Sequence, residues 1–269
     1  MGKVKYIKRK ELIVSISVIV FILFIALTVA AIIDNSRKVD FEDETMGEMI
    51  AKSVRLKSAE ELRVDDLEKI TELNIGYTSF YDTLVDIEKC QNLKSVYISC
   101  PYSRGVFYPF LGRKMPEPEL ESKERIKQIE KELGNILERC PNVEDIYISD
   151  EKRCCELDNI EFLKKGKNLG IIYLYAQKDI DYSPISECKE LVVLVLRQCD
   201  VSDLSMLSEL ENLKLLYLEG TNISDVEELL KLKNLNNLEI TLTDTPLAEK
   251  KDELESLQQQ FPGLDIRTD

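Results

Sequence analysis

Histidine is absent from this chain, and so is tryptophan. The first absence excludes much chemistry, because histidine is the side chain that most often moves protons or binds metal near neutral pH. A serine or cysteine nucleophile would have no imidazole to activate it. The chain also lacks a G-x-G-x-x-G fingerprint, a Walker lysine loop and a D-x-[DN]-x-[DN]-G calcium loop. Its seven cysteines have no C-x-x-C spacing, so a zinc site is not expected. Adjacent carboxylates such as Asp65 and Asp66 sit in a run of solvated charge. No catalytic residues, no metal and no cofactor are therefore expected, and the chain does not read as an enzyme.

Acids outnumber bases after the first eleven residues. The whole chain carries a net charge of −14 from 36 basic and 50 acidic residues. Lys3, Lys5, Lys8, Arg9 and Lys10 precede the first apolar run with a single acid, Glu11, which leaves the remainder at 31 bases against 49 acids, net −18. Nucleic acid and anionic lipid headgroups should be repelled by such a surface.

Between Leu12 and Ile33 no charge occurs in 22 consecutive residues. As a helix this stretch would reach roughly 33 Å, enough for a hydrocarbon core of about 30 Å. It is longer than the apolar region of an ordinary signal peptide, so an uncleaved transmembrane anchor is expected over 12–33. The basic excess on its N-terminal side makes residues 1–11 a cytoplasmic tail and sends the rest outside a cell membrane, single-pass. Residues 34–40 then form a short polar linker.

Beyond the linker, one pattern returns every 22 residues. Leu169-x-x-Ile172-x-Leu174 recurs as Leu191-x-x-Leu194-x-Leu196, as Leu213-x-x-Leu216-x-Leu218 and as Leu235-x-x-Leu238-x-Ile240. Backwards, the frame continues through Val143-x-x-Ile146-x-Ile148, Leu93-x-x-Val96-x-Ile98 and Ile70-x-x-Leu73-x-Ile75. An L-x-x-L-x-L motif at this period marks a leucine-rich-repeat solenoid. Each unit supplies a short strand and a return segment, and stacking is what buries their apolar sides. The expected fold is thus an α/β solenoid, a right-handed superhelix of seven parallel strands on a concave face, occupying 41–269.

Three segments depart from the repeat. Residues 41–69 place Met46, Met49, Ile50 and Val54 at helical spacing, suited to hiding the first repeat's open core edge. An insertion over 100–140 joins an aromatic loop (Cys100 to Met115) to a helix from Pro118 to Arg139, expected as an enlarged return helix on the convex side. Residues 245–269 look like a closing half-repeat. The helical segment at Phe41, with loops such as Asn222-Ile-Ser-Asp-Val226 and Asp200-Val-Ser-Asp-Leu204, resembles the capped leucine-rich-repeat region of internalin-type proteins of Gram-positive bacteria. That resemblance implies a bacterial cell-surface repeat protein and is specific for fold, not for ligand.

Cys90, Cys140 and Cys188 each precede a strand's first apolar residue by three, where Leu210 and Leu232 stand in later repeats, and so read as small core residues. Cys199 falls in a turn, where solenoids use Asn or Cys to satisfy the backbone. Cys154 and Cys155 lie in a loop, and the sequence leaves open a bond from either to a third cysteine.

Alternation sends the residue between the last two leucines to the concave face. Down the array this position reads Asn74, Tyr97, Tyr147, Tyr173, Val195, Tyr217 and Glu239. Ile171, Tyr175, Val193, Leu215 and a lone cation, Arg197, extend the surface. Aromatics with a polar tip, together with Arg, dominate protein-recognition hot spots. A protein or peptide ligand is therefore expected on Tyr97, Tyr147, Ile171, Tyr173, Tyr175, Val193, Val195, Arg197, Leu215 and Tyr217. Two alternatives stay open: cross-strand stacking of the tyrosines for stability alone, and a structural subunit that holds an envelope complex together through its membrane helix and convex side.

Overall fold

The computed structural model describes residues 19–29, 37–98, 119–149 and 155–269. Among them the centre is one parallel sheet of eight strands in strict chain order. The strands are β1 (Glu72–Asn74), β2 (Ser95–Ile98), β3 (Asp145–Ser149), β4 (Ile171–Tyr175), β5 (Val193–Arg197), β6 (Leu215–Tyr217), β7 (Glu239–Thr241) and β8 (Asp265–Arg267). Strict order is what stacking demands, since each unit touches mainly its two neighbours.

Alternate strand residues face a single core. Val96, Ile98, Ile146, Ile148, Ile172, Leu174, Leu194, Leu196, Leu216 and Leu218 are all fully buried. The return segments supply the opposite wall: tight 3-10 turns at Val85–Lys89, Glu161–Lys165, Ser183–Glu187 and Ser205–Leu207 bury Ile87, Leu163, Ile185 and Leu207. One asparagine before most strands ties each repeat to the one before it. Asn92, Asn142, Asn168 and Asn212 donate their side-chain N–H to the carbonyls of Glu68, Gln91, Pro141 and Lys189, respectively, at 2.7–3.1 Å.

The capping helix α1 (Glu44–Ser53) lays Met46, Met49 and Ile50 on the core edge as expected. Asp43 caps it, accepting from the Met46 amide at 2.9 Å. Fully buried Asp86 accepts from the amides of Glu42 and Asp43 at 3.0 and 2.8 Å and pairs with Lys89, which locks the cap to the first return turn. A buried carboxylate is tolerable only with donors of this kind.

The insertion helix α2 (Lys123–Arg139) begins five residues later than the sequence suggests, because Ser122 caps it by accepting from the Arg125 amide at 3.1 Å. Its apolar stripe (Ile126, Ile129, Leu133, Ile136, Leu137) is buried on the return side. Two of its carboxylates reach opposite ways. Glu132 accepts from Thr83 Oγ1 at 2.6 Å and the Leu84 amide at 3.0 Å, while Glu130 accepts from the amides of Asp158 and Asn159 at 2.8 Å. The helix thereby fastens the repeats on either side of the insertion. The loop expected from Cys100 to Met115 lies outside the described residues.

Two expectations need correction at the far end. The described sheet has eight strands, not seven, because residues after α3 (Lys251–Gln260) return to pair with β7. Gly263 permits this return: a Cβ there would stand 1.9 Å from the carbonyl oxygen of Asn236. In addition, the frame slips by two at β7. Leu216 pairs with Ile240 and Tyr217 with Thr241, so Glu239 lies beside Leu215 rather than Tyr217. The cause is a 3-10 turn at Leu235–Asn237, which delays the strand so that Ile240 and Leu242 take the core positions.

The helix over 19–29 exposes its apolar side chains. Among the described residues no helix is long and apolar enough to cross a membrane, and the rest of the apolar run at 12–33 lies outside them. Cys90, Cys140, Cys155, Cys188 and Cys199 are buried free thiols. Burial pushes Cys90 and Cys188 up to about 12 and Cys140 and Cys199 up to about 11, so they stay neutral. The turn role of Cys199 is visible: its Sγ lies 3.5 Å from the carbonyl oxygens of Leu174 and Arg197. Cys154 and Cys100 fall outside the described residues.

Candidate ligand-binding face

The sheet face turned away from the core presents three in-register columns. The first runs Glu72, Ser95, Asp145, Ile171, Val193, Leu215, Glu239, Asp265. The second runs Asn74, Tyr97, Tyr147, Tyr173, Val195, Tyr217, Thr241, Arg267. The third is shorter and includes Ser149, Tyr175 and Arg197. All ten residues expected to meet a ligand lie in these columns, and every one is half-buried. Neighbouring strands stand about 4.8 Å apart, so each column is continuous.

The tyrosines do not behave alike. Tyr97 stacks on Tyr147 with ring centroids 4.2 Å apart and planes within 11°. Tyr147 meets Tyr173 at 5.8 Å with a tilt of 33°. The first three therefore form a cross-strand ladder, the geometry in which aromatic pairs stabilise a sheet without any ligand. Burial first, and then the neighbouring Tyr147, push the Tyr97 phenol well above its ordinary range, so it remains a neutral donor. Tyr217 instead stands between Val195 and Thr241, neither of which is aromatic.

Arg197, the cation expected on this surface, is paired. Its guanidinium bonds Glu219 at 2.6 Å and lies 5.9 Å from the centre of the Tyr175 ring. The bond to Glu219 is the main reason its pKa is raised. Tyr175 in turn donates to Gln198 Oε1 at 3.1 Å. This corner of the face is thus positioned by side-chain contacts, whereas the strip formed by Ile171, Val193, Leu215, Val195 and Tyr217 is an aliphatic floor with one phenol.

Acids border that floor, a feature the repeat frame did not bring out. Asp145 and Glu239 close the first column on either side of Ile171, Val193 and Leu215. Asp145 accepts from Ser95 Oγ at 2.6 Å, and Glu239 pairs with Arg267 at 2.8 Å. The turns after β4, β5 and β7 carry Asp179, Asp200 and Asp244, all exposed. In sequence these acids are scattered among many others. The parallel register brings Asp145 and Glu239 to the two ends of one column.

No protein-family model matches the chain, and no curated protein matches it significantly. Solved structures do. An internalin, inlF, from Listeria monocytogenes shares 17% identity over 85% of this chain, with a TM-score of 0.49. The internalin C2 of the same organism shares 21% over 74%, with a TM-score of 0.37. A leucine-rich-repeat protein of Leptospira interrogans shares 16% over 76%, with a TM-score of 0.39. The chain spans 63%, 92% and 56% of these proteins, respectively. Identities this low concern fold alone, and the solenoid assignment rests on the sheet order and register of this chain.

Proposed function

We propose that this protein is a non-catalytic, membrane-anchored binding module that holds an extracytoplasmic protein or peptide on the open face of its repeat sheet. One observation carries the reading: partly exposed Ile171, Val193, Leu215, Val195 and Tyr217 form a contiguous aliphatic and aromatic strip on a parallel sheet. Apolar surface of this continuity on a water-facing sheet usually has a partner. A packed sheet also presents it with little ordering cost on binding. The charge-free run from Leu12 to Ile33 and the basic residues before it support an N-terminal anchor with its tail in the cytoplasm.

A photo-crosslinking amino acid at Val195 of the full chain, expressed in its own cells, should trap a polypeptide. The same probe at exposed Glu255 on α3 should not. Trapping only from Glu255 would move the partner to the helical side and replace the binding module with an assembly subunit. The topology has a separate test: protease added to intact, wall-stripped cells should degrade the repeats. Protection until lysis would reverse the orientation.

A further inference from the structure

We infer that the partner is a cationic, aliphatic polypeptide segment: one that sets apolar side chains on the β4–β6 floor and basic residues at both ends of it. The inference rests on reading the open face as the binding surface and adds the chemistry of what binds there. In register, the first column passes from acid (Asp145) through Ile171, Val193 and Leu215 to acid (Glu239, then Asp265). Asp179, Asp200 and Asp244 add negative charge along the side where the strands end. The cations in these columns are both held by carboxylates, Arg197 by Glu219 and Arg267 by Glu239 and Asp265.

The rim holds more acids than bases, with Lys178 beside Asp179 and Arg267 beside Glu239. An acidic excess around an apolar floor favours a cationic partner and steers it in. Nucleic acid and anionic lipid share the sign of the rim and are disfavoured. The Glu239–Arg267 pair does not block the site, because both side chains are solvent-accessible (29% and 53%) and such pairs are worth little. An incoming lysine or arginine can take the place of Arg267 beside Glu239. Geometry sets the spacing of the ligand. Asp145 and Glu239 are four strand steps apart, roughly 19 Å, which an extended chain covers in about six residues. The segment should therefore carry basic residues about six apart, with aliphatic side chains between them.

The test is selection from a random dodecapeptide library displayed on phage, against the full chain in phosphatidylcholine nanodiscs, with empty nanodiscs as the counter-selection. Enriched peptides should carry Lys or Arg on both sides of an aliphatic centre. Their affinity should fall at least tenfold as salt rises from about 50 to 300 mM. It should also fall at least tenfold in the Asp145→Asn/Glu239→Gln double variant, where the asparagine side-chain oxygen can still accept the Ser95 bond. In Val195→Ser/Leu215→Ser it should fall to background. Peptides that are acidic or uncharged, peptides indifferent to the Asp145→Asn/Glu239→Gln change, or no enrichment at all would overturn the inference. If such peptides are still lost with Val195→Ser/Leu215→Ser, the face remains the binding surface and only its charge preference is wrong. If no face variant matters, both readings fall. Thermal melts of each variant separate lost binding from lost folding.

Discussion

Tyr97, Tyr147 and Tyr173 on β2, β3 and β4 touch ring to ring, whereas Val195 and Tyr217 on β5 and β6 alternate aliphatic and aromatic in the same column. The first region flanks the insertion and has irregular spacing, 50 residues from Val96 to Ile146 and 26 from there to Ile172. The second keeps the 22-residue period from Ile172 through Leu194 to Leu216. Where repeats of unequal length meet, stacked aromatics and the two carboxylates of α2 hold neighbours together. Where the repeat is regular, the backbone ladder and leucine core suffice, and the outward side chains are left to do something else. Ring contacts thus mark one part of the column, and on the proposed function recognition falls to the other.

The harshest way to test that division is to strike the core beneath both parts. Leu216→Ala removes a fully buried side chain and should cost about 2–5 kcal/mol. Chemical denaturation of the variant checks it. A cost below about 1 kcal/mol would mean that the repeats do not share one core.

Next come the two tyrosines that separate the regions. Tyr147→Ala breaks both ring contacts and should cost about 1–2 kcal/mol of stability, with a smaller effect on ligand affinity. Tyr217→Ala should do the reverse, costing about 2 kcal/mol of binding, roughly thirtyfold, and little stability. Tyr173 belongs to both sets, touching Tyr147 on one side and the aliphatic floor on the other, and should show some of each loss. Melts and titrations with a selected peptide would measure all three. Equal behaviour of Tyr147 and Tyr217 would erase the distinction.

The carboxylate clamps offer a milder probe through pH. Burial is the largest influence on Glu130 and raises its pKa above the ordinary carboxylate value, outweighing its three hydrogen bonds. A group whose native pKa is raised contributes stability that is fully present below its unfolded pKa and is lost as pH rises through the native value. Glu130→Gln should therefore flatten the loss of stability as pH climbs past the ordinary carboxylate value of 4.5, while keeping one oxygen for the amides of Asp158 and Asn159. Denaturation midpoints measured across that range check it. An unchanged pH profile would mean that the carboxylate is as well accommodated ionised as neutral.

Much of this was legible beforehand because a solenoid's core follows one short motif. The L-x-x-L-x-L frame located β1 to β6, and the amphipathic spacing of Met46, Met49 and Ile50 located the cap. The failures came where local backbone chemistry competed with the frame. Leu235 to Leu238 satisfy the motif, yet the turn at Leu235–Asn237 delays β7 by two residues. The asparagine ladder has a sequence trace too, since Asn-Leu or Asn-Val recurs before five strands (Asn92, Asn142, Asn168, Asn212 and Asn234), but the L-x-x-L-x-L frame does not include that position. The acidic border of the aliphatic floor depends on register between residues as far apart as Asp145 and Glu239. No local window contains it.

The smallest expected effect lies in the turns that end the strands, where the regular repeats offer an internal control. Ala176, Gln198, Gly220 and Asp244 occupy equivalent places, all with positive φ (57°, 53°, 65° and 57°). For a residue with a side chain this left-handed conformation costs roughly 1–2 kcal/mol, and glycine adopts it without that strain. Glycine gives part of this back, about 0.5–1 kcal/mol, through its greater freedom when unfolded. Gln198→Gly should therefore stabilise the protein by up to about 1 kcal/mol, less whatever the solvent-exposed bond from Tyr175 contributes. Gly220→Ala should destabilise by a similar amount, since the new Cβ would also stand 3.2 Å from Gln198 Cγ. That neighbour is the flexible part of a side chain and can yield, so the backbone conformation should dominate. Combining the two substitutions separates the causes. With Gln198 trimmed to glycine, the Gly220→Ala penalty should persist if it is conformational and vanish if it is a clash.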